Sequence, residues 1–125
     1  MNLGDIYYWI TDKAIGHDSR PKYHIYICAP DWVDDHTFLF INKARNVDDF
    51  RITKTEYPFL TFPESYISCS GVVSYTDTEL ATFDPKLIGQ LSEEHLRALF
   101  NAIAGSRTME RAQIKRLCNA LQKAF

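Results

Sequence analysis

Short segments of alternating apolar residues occupy the first 76 positions and constrain the fold of this chain more than any other feature. Residues 4–10 are rich in aromatic and β-branched side chains, and residues 22–29 are largely apolar on both alternating faces. Alternation with a period of two is typical of β-strands, because successive side chains point to opposite faces. Since both of its faces are apolar, segment 22–29 is predicted to be a central strand.

Three more strands are expected before residue 76, which makes five in all. They cover residues 37–42, residues 50–55 and residues 65–75, the last with a bulge at Gly71. The intervening segment 57–63 contains two prolines, which cannot donate to a strand ladder, so a central strand is excluded there. Short, closely spaced strands joined by turns indicate a small antiparallel barrel, closed or nearly closed, over residues 4–76.

From residue 91 onward the spacing of apolar residues becomes helical. We predict amphipathic helices over residues 92–104 and 108–124, with Ser92 and Thr108 as N-caps and Gly105 ending the first helix. Both apolar stripes are expected to pack on the barrel or on another subunit. The predicted fold is therefore α+β and mainly β: a small antiparallel barrel followed by two C-terminal amphipathic helices, in one domain of residues 1–125.

The composition is that of an ordinary folded domain. Hydrophobic residues make up 46% of the chain, too many for a disordered protein. No stretch approaches the roughly 20 apolar residues that cross a bilayer, and the first residues lack the basic segment of a signal peptide. Cys28, Cys69 and Cys118 are isolated and odd in number, which favours reduced thiols in a cytosol. We therefore expect a cytoplasmic protein with no membrane segment.

Charge is distributed unevenly along the chain. Residues 1–104 carry 9 Lys/Arg against 15 Asp/Glu, whereas residues 105–125 carry 5 against 1. A basic C-terminal helix bearing Arg107, Arg111 and Lys115 suits contact with a phosphate backbone. A solvated helix face that partly neutralises its own domain is the alternative explanation of the same pattern, and the one we favour.

Motifs for common cofactors are missing from the sequence. The four histidines lie far apart, without an HxH or HExxH pair, and no two cysteines have metal-ligand spacing. The chain also lacks the glycine-rich loops that bind nucleotide phosphates and the GxSxG turn of a serine nucleophile. We expect neither a metal nor a cofactor.

The loop between the first two predicted strands holds the best candidates for chemistry. His17 and Arg20 lie within the turn-forming segment 16–21. Histidine moves protons near neutral pH, and arginine is a permanent cation. Cleavage of RNA by its own 2′-hydroxyl needs both functions, because a proton must move and charge develops on the phosphorane. The same composition is also that of a surface turn in which Arg20 pairs with Asp18.

Several patches between residues 4 and 103 resemble, in their order, the MazF/PemK/Kid family of toxins. They are Gly4-Asp5-Ile6 in the first strand, Gly16-His17-Asp18 with Arg20-Pro21 in the loop, Ser65-Tyr66-Ile67-Ser68-Cys69, and Leu87-Ile88-Gly89-Gln90-Leu91-Ser92 before an apolar helix. The resemblance implies an SH3-like barrel and metal-independent, sequence-selective cleavage of single-stranded RNA. It also implies a homodimer, and an antitoxin whose disordered segment fills the RNA groove.

For the site, the resemblance implies His17 and Arg20 as catalytic residues. The substrate-binding residues beside them are Asn42, Lys43, Ser68 and Ser70. The chain departs from the family here, because Ser68-Cys69-Ser70 replaces the usual Arg-Cys-Asp and Asn42-Lys43 replaces a Thr or Ser. Either Lys43 and an acid, Asp77 or Glu79, stand in for the missing groups, or the protein binds RNA or a protein partner without cutting. An unrelated small barrel with an interaction role is the remaining alternative.

Overall fold

Seven β-strands and three α-helices make up the part of the chain that the computed structural model describes, residues 1–13, 19–28 and 35–125. The strands are β1 (Asp5–Thr11), β2 (Arg20–Cys28), β3 (His36–Asn42), β4 (Phe50–Thr53), β5 (Glu64–Ile67), β6 (Val73–Tyr75) and β7 (Lys86–Gln90). The helices are α1 (Asp77–Phe83), α2 (Glu93–Ala104) and α3 (Arg111–Gln122). None of these helices has the length and apolar character needed to cross a membrane.

The strands form one antiparallel sheet in the order β4-β5-β3-β2-β1-β7, with β6 pairing to β3. The sheet curls into a half-barrel, and the helices follow it. The predicted class, α+β and mainly β with an SH3-like barrel ahead of amphipathic helices, is confirmed. β2 lies between β1 and β3, as the apolar character of both its faces predicted.

Each face of the central strands is covered by its own hydrophobic core. Ile6 pairs with Ile25, and Ile25 with Leu39, so these three share one face. That face packs against the buried stripes of α2 and α3, which include Leu99 and Leu117. The opposite face is aromatic and lies beside α1; its buried core comprises Tyr7, Trp9, Tyr26, Phe38, Val73, Tyr75 and Leu80. Burial on both sides explains why β1, β2 and β3 are so apolar.

The single strand predicted for residues 65–75 is two strands. Both β5 and β6 pair with the same edge of β3, where Ile67 is the partner of Ile41 and Val73 that of Phe38. Five residues, 68–72, thus lie between these two pairings where β3 has only two, Leu39 and Phe40, and the excess cannot remain in a ladder. The segment 68–72 therefore leaves the sheet after Ser68, whose N–H still donates to the Phe40 carbonyl. The expected irregularity at Gly71 is part of a larger break.

Residues 76–90 contain two elements that the sequence pattern did not reveal. Thr76 caps α1 through a capping box, in which the Thr76 hydroxyl accepts from the Glu79 N–H and the Glu79 carboxylate accepts from the Thr76 N–H. β7 then adds to the free side of β1, with Tyr7 opposite Leu87. Since Leu87 is 61% exposed at this sheet edge, no burial forces the alternation that marks a strand.

The first C-terminal helix follows the prediction closely, and the second begins later than predicted. Ser92 caps α2 by accepting from the His95 N–H, and Gly105 is its C-cap. Thr108 does not cap α3, whose N-cap is Glu110. The Thr108 hydroxyl instead donates to the carboxylate of Asp48, which also accepts from the backbone N–H groups of Arg107 and Thr108. A tertiary contact with Asp48 therefore engages the hydroxyl that was expected to cap the helix.

Candidate functional site

Residues predicted for the site come together at the end of the sheet where β2 begins and β3 ends. Arg20 is the first residue of β2, Asn42 is the last of β3, and Lys43 follows it. Two adjoining cavities open here, and both are lined by Arg20, Lys22, Asn42 and Lys43. We call the two cavities together the groove. Ser68 and Ser70 line the second cavity, whereas His17 lies outside the described residues.

The first cavity has a volume of about 410 Å³, and three aromatic residues form part of its wall. Tyr8 and Tyr23 are cross-strand partners whose ring centroids lie 5.0 Å apart, and Phe62 comes from the proline-containing segment after β4. The Phe62 side chain is 46% exposed. The Tyr23 hydroxyl donates to the Phe59 carbonyl over 3.2 Å, which holds that segment against the sheet. Accessible aromatic rings of this kind are suited to stacking against flat ligands.

The second cavity, about 450 Å³, is more polar. Ser68 and Ser70 face it from the segment that leaves the sheet, and their hydroxyl oxygens lie 3.4 Å apart. Asn46 supplies an amide, and Phe40 forms part of the wall. The segment between β5 and β6 thus supplies two neighbouring hydroxyl groups to this cavity.

Lys22 stands between the cavities and was not selected from the sequence. Its ammonium donates to the side-chain oxygen of Asn42 and lies 5.1 Å from the centroid of the Phe40 ring. Partial burial, together with the nearby Arg20 guanidinium, lowers the pKa of Lys22. The signal that would have revealed it is a lysine at the start of the predicted central strand, two residues after Arg20 and therefore on the same face of the strand.

The groove is cationic on a chain whose formal net charge is −2. Lys13, Arg20, Lys22 and Lys43 line it, and no Asp or Glu does so within the described ranges. Lys13 is partly neutralised, since its ammonium lies 3.0 Å from the Glu79 carboxylate. The other three cations have no carboxylate within 4.0 Å in residues 1–13, 19–28 and 35–125. Such an arrangement attracts an anion.

The acids proposed as replacements for the missing family residues are engaged elsewhere. Asp77 accepts from His36 over 2.6 Å, and Glu79 binds Lys13 and the α1 cap. Neither carboxylate lines the groove. Lys43 does line it, with its ammonium 5.9 Å from the centroid of the Phe62 ring. Of the proposed replacements, only the lysine lines the groove.

Neither Cys69 nor His24 is available to a ligand in the groove. Cys69 points away from its serine neighbours into the core, and burial with the nearby Asp49 raises its pKa to about 12. His24 is fully buried beneath the sheet surface, stacked on Trp9 with ring centroids 3.5 Å apart. Its Nε2 lies 3.0 Å from the Tyr75 hydroxyl, and burial lowers its pKa to about 3. Both side chains are structural.

The basic residues of the C-terminal segment lie away from the groove. Arg107, Arg111 and Lys115 are exposed, and none of them lines either cavity.

The described residues contain no group of three or more His, Cys, Asp or Glu side chains placed to share a metal ion. No protein-family model matches the sequence, and the comparison with curated proteins found no match.

Proposed function

We propose that the groove binds single-stranded RNA. One observation carries the proposal: Arg20, Asn42, Lys43, Ser68 and Ser70, drawn from three separate parts of the sequence, line one cationic groove that also presents aromatic rings. Cations beside stacking surfaces are the usual means of holding a single strand, because phosphates and bases are bound at the same time. A duplex would keep its bases stacked inside and leave the aromatic wall unused.

The activity proposed for this groove is metal-independent RNA cleavage, as in the MazF/PemK/Kid toxins that the sequence resembles. The 2′-oxygen of the substrate attacks the adjacent phosphorus, and the 5′-oxygen leaves with a proton, giving a 2′,3′-cyclic phosphate and a 5′-hydroxyl. Arg20 stabilises the charge on the phosphorane with its two-pronged guanidinium, and His17 moves a proton. An antitoxin with an acidic segment, a homodimer and a cytoplasmic location belong to the same proposal.

The alternative is a groove that binds RNA or a protein tail and cuts nothing. It is favoured by Ser68 and Ser70, which stand where the family usually has an arginine and an aspartate. Hydroxyl groups hold a ligand through hydrogen bonds but are poor proton acceptors at neutral pH. A positioned proton-transfer group contributes about 10²–10⁴-fold in rate, so loss of the aspartate without replacement, together with loss of the charge of the arginine, would leave almost no turnover.

Two assays on the purified chain separate these possibilities. Binding of a fluorescent single-stranded RNA should weaken as salt rises, with a slope of about −0.7 per phosphate contact. Cleavage of a long RNA in chelator should yield 5′-hydroxyl ends. Arg20→Lys should remove most of the cutting because a lysine cannot hold two phosphate oxygens, and His17→Ala should slow it about 10²–10⁴-fold.

The matched control is Arg51→Lys, because Arg51 is exposed, pairs with Glu64 and lies outside the groove. It should cut RNA as the parent does. Cutting that survives both His17→Ala and Arg20→Lys would remove these residues from the mechanism. Binding without any cutting by the parent chain would establish the alternative, and absence of RNA binding at moderate salt would end the proposal.

A further inference from the structure

The groove is divided into two compartments by one shared wall. Tyr8, Tyr23 and Ile41 share one face of the sheet through their cross-strand pairing. Lys22 and Phe40 adjoin these residues in sequence and therefore point to the other face. The aromatic cavity thus lies on one side of the strand ends and the polar cavity on the other, with Arg20, Lys22, Asn42 and Lys43 common to both.

Each compartment is the size of a small-ligand pocket. The volumes, about 410 and 450 Å³, fall within the ~300–1,000 Å³ that such pockets usually have. Their similar size, and the three cations Arg20, Lys22 and Lys43 that line both of them, match the chemistry of two adjacent nucleosides joined by one phosphate.

The walls of the compartments differ in what they can distinguish. Aromatic faces stack on any base, so the Tyr8, Tyr23 and Phe62 side is tolerant of sequence. Hydroxyl and amide groups hydrogen-bond to particular positions on a base edge, so the Ser68, Ser70 and Asn46 side is selective. The Lys22 ammonium is held between them by Asn42, with Arg20 close enough to contribute to its lowered pKa.

We infer that the groove recognises a dinucleotide step, with the phosphate on Lys22 and Arg20, one base stacked in the aromatic cavity and the next base selected in the polar cavity. This inference rests on the proposed binding of single-stranded RNA and adds its register and the source of its selectivity. It also assigns a role to Lys22, whose position is fixed opposite Trp9 by the pairing of β1 with β2.

The first test measures binding of labelled 2′-O-methyl RNA 10-mers, which cannot undergo 2′-hydroxyl attack, to variants of the two cavities. Phe62→Ala should weaken binding of oligo-A, oligo-U and oligo-C alike, by about 5- to 150-fold for one lost stacking contact. Ser68→Ala combined with Ser70→Ala should change the ranking of the three oligomers. Lys22→Met should weaken all of them at least tenfold and make the salt slope shallower.

Two controls are matched to these changes. Phe125→Ala removes a phenylalanine of similar exposure, 43%, that does not line the groove. Lys86→Met removes an exposed lysine from β7, likewise outside the groove. Both should bind as the parent does. A polyglutamate peptide of equal charge should compete weakly, since it supplies no bases.

The second test uses 2′-O-methyl dinucleoside monophosphates in a nuclear magnetic resonance titration of the parent chain. Amide signals from both cavities should shift together, whereas a mononucleotide should shift the shared residues and one cavity. Shifts confined to one cavity, an unchanged ranking in the double serine variant, or equal competition by polyglutamate would each overturn the dinucleotide assignment. In those cases RNA 10-mers still bind and the proposed function stands; if no 10-mer binds, both fall together.

Discussion

Acidification should destabilise this fold through His24 well before its carboxylates are protonated. His24 is completely buried against Trp9, and its pKa falls from 6.5 to about 3 because burial disfavours the charged ring. The folded state therefore keeps the ring neutral while the unfolded chain takes up a proton below pH 6.5. Stability that His24 contributes above pH 6.5 is lost progressively as the pH falls toward 3. At pH 5 the loss amounts to about 2 kcal/mol relative to pH 8.

The assay is urea unfolding at pH 8 and pH 5, followed by tryptophan fluorescence, for the parent chain and for His24→Phe and His24→Gln. Phenylalanine keeps the stacking on Trp9, and glutamine keeps a polar group near the Tyr75 hydroxyl. Each variant should be less stable at pH 8, since buried contacts are lost. Neither can titrate, so the difference between pH 8 and pH 5 should shrink by about 2 kcal/mol in both. An unchanged difference in the two variants would refute the argument.

Three other predictions concern packing, docking of the last helix and its charges. Gly89→Ala should destabilise the fold by about 1–3 kcal/mol, because the added Cβ would lie 2.7 Å from Cε2 of Phe59. Gly71→Ala should be neutral or up to about 1 kcal/mol stabilising, because no atom lies within 4 Å of the added Cβ. Urea unfolding midpoints measure both changes in stability, and equal effects of the two substitutions would contradict the packing argument. Asp48→Gly removes the carboxylate that accepts hydrogen bonds from residues 106–108, and glycine tolerates the φ of 66° at this position. The substitution should therefore speed amide hydrogen exchange in α3. Unchanged exchange would show that this contact does not hold the helix in place. Replacing Arg107, Arg111 and Lys115 together by alanine should leave the salt slope of RNA binding unchanged, since all three lie outside the groove; a shallower slope would extend the interface to the C-terminal segment.

The elements that the sequence predicted are those whose burial leaves a periodic pattern. β1 and β2 pack on both faces, and α2 buries Leu96, Leu99 and Ile103 on one stripe, so each carries its period in its composition. β7 lies at a sheet edge and shows no such pattern. The division of residues 64–75 into two strands depends on where each piece meets β3, which is information about a partner rather than about the segment itself.

Part of the polar lining of the groove was predictable from the sequence, and the shape of the groove was not. Arg20, Asn42 and Lys43 were selected from a family resemblance, and the fold brings them to one groove. Phe62 escaped notice because an aromatic residue between prolines is an unremarkable loop composition. Its place beside Tyr8 depends on the way the segment after β4 folds back over the sheet, held by Tyr23. The alternation of apolar and polar residues does not predict that this segment folds back over the sheet.

The pairing of β1 with β7 has a consequence for synthesis of the chain on the ribosome. One side of β1 meets β2 within about 20 residues, but the other side waits for a strand about 80 residues later, where Tyr7 pairs with Leu87. At roughly 5–20 residues per second, that side of β1 stays open for about 4–16 seconds in every round of translation. An unpaired, aromatic edge is a template for pairing with another nascent chain. This protein should therefore aggregate where nascent chains are crowded on polysomes, and where truncated transcripts yield chains that end before β7.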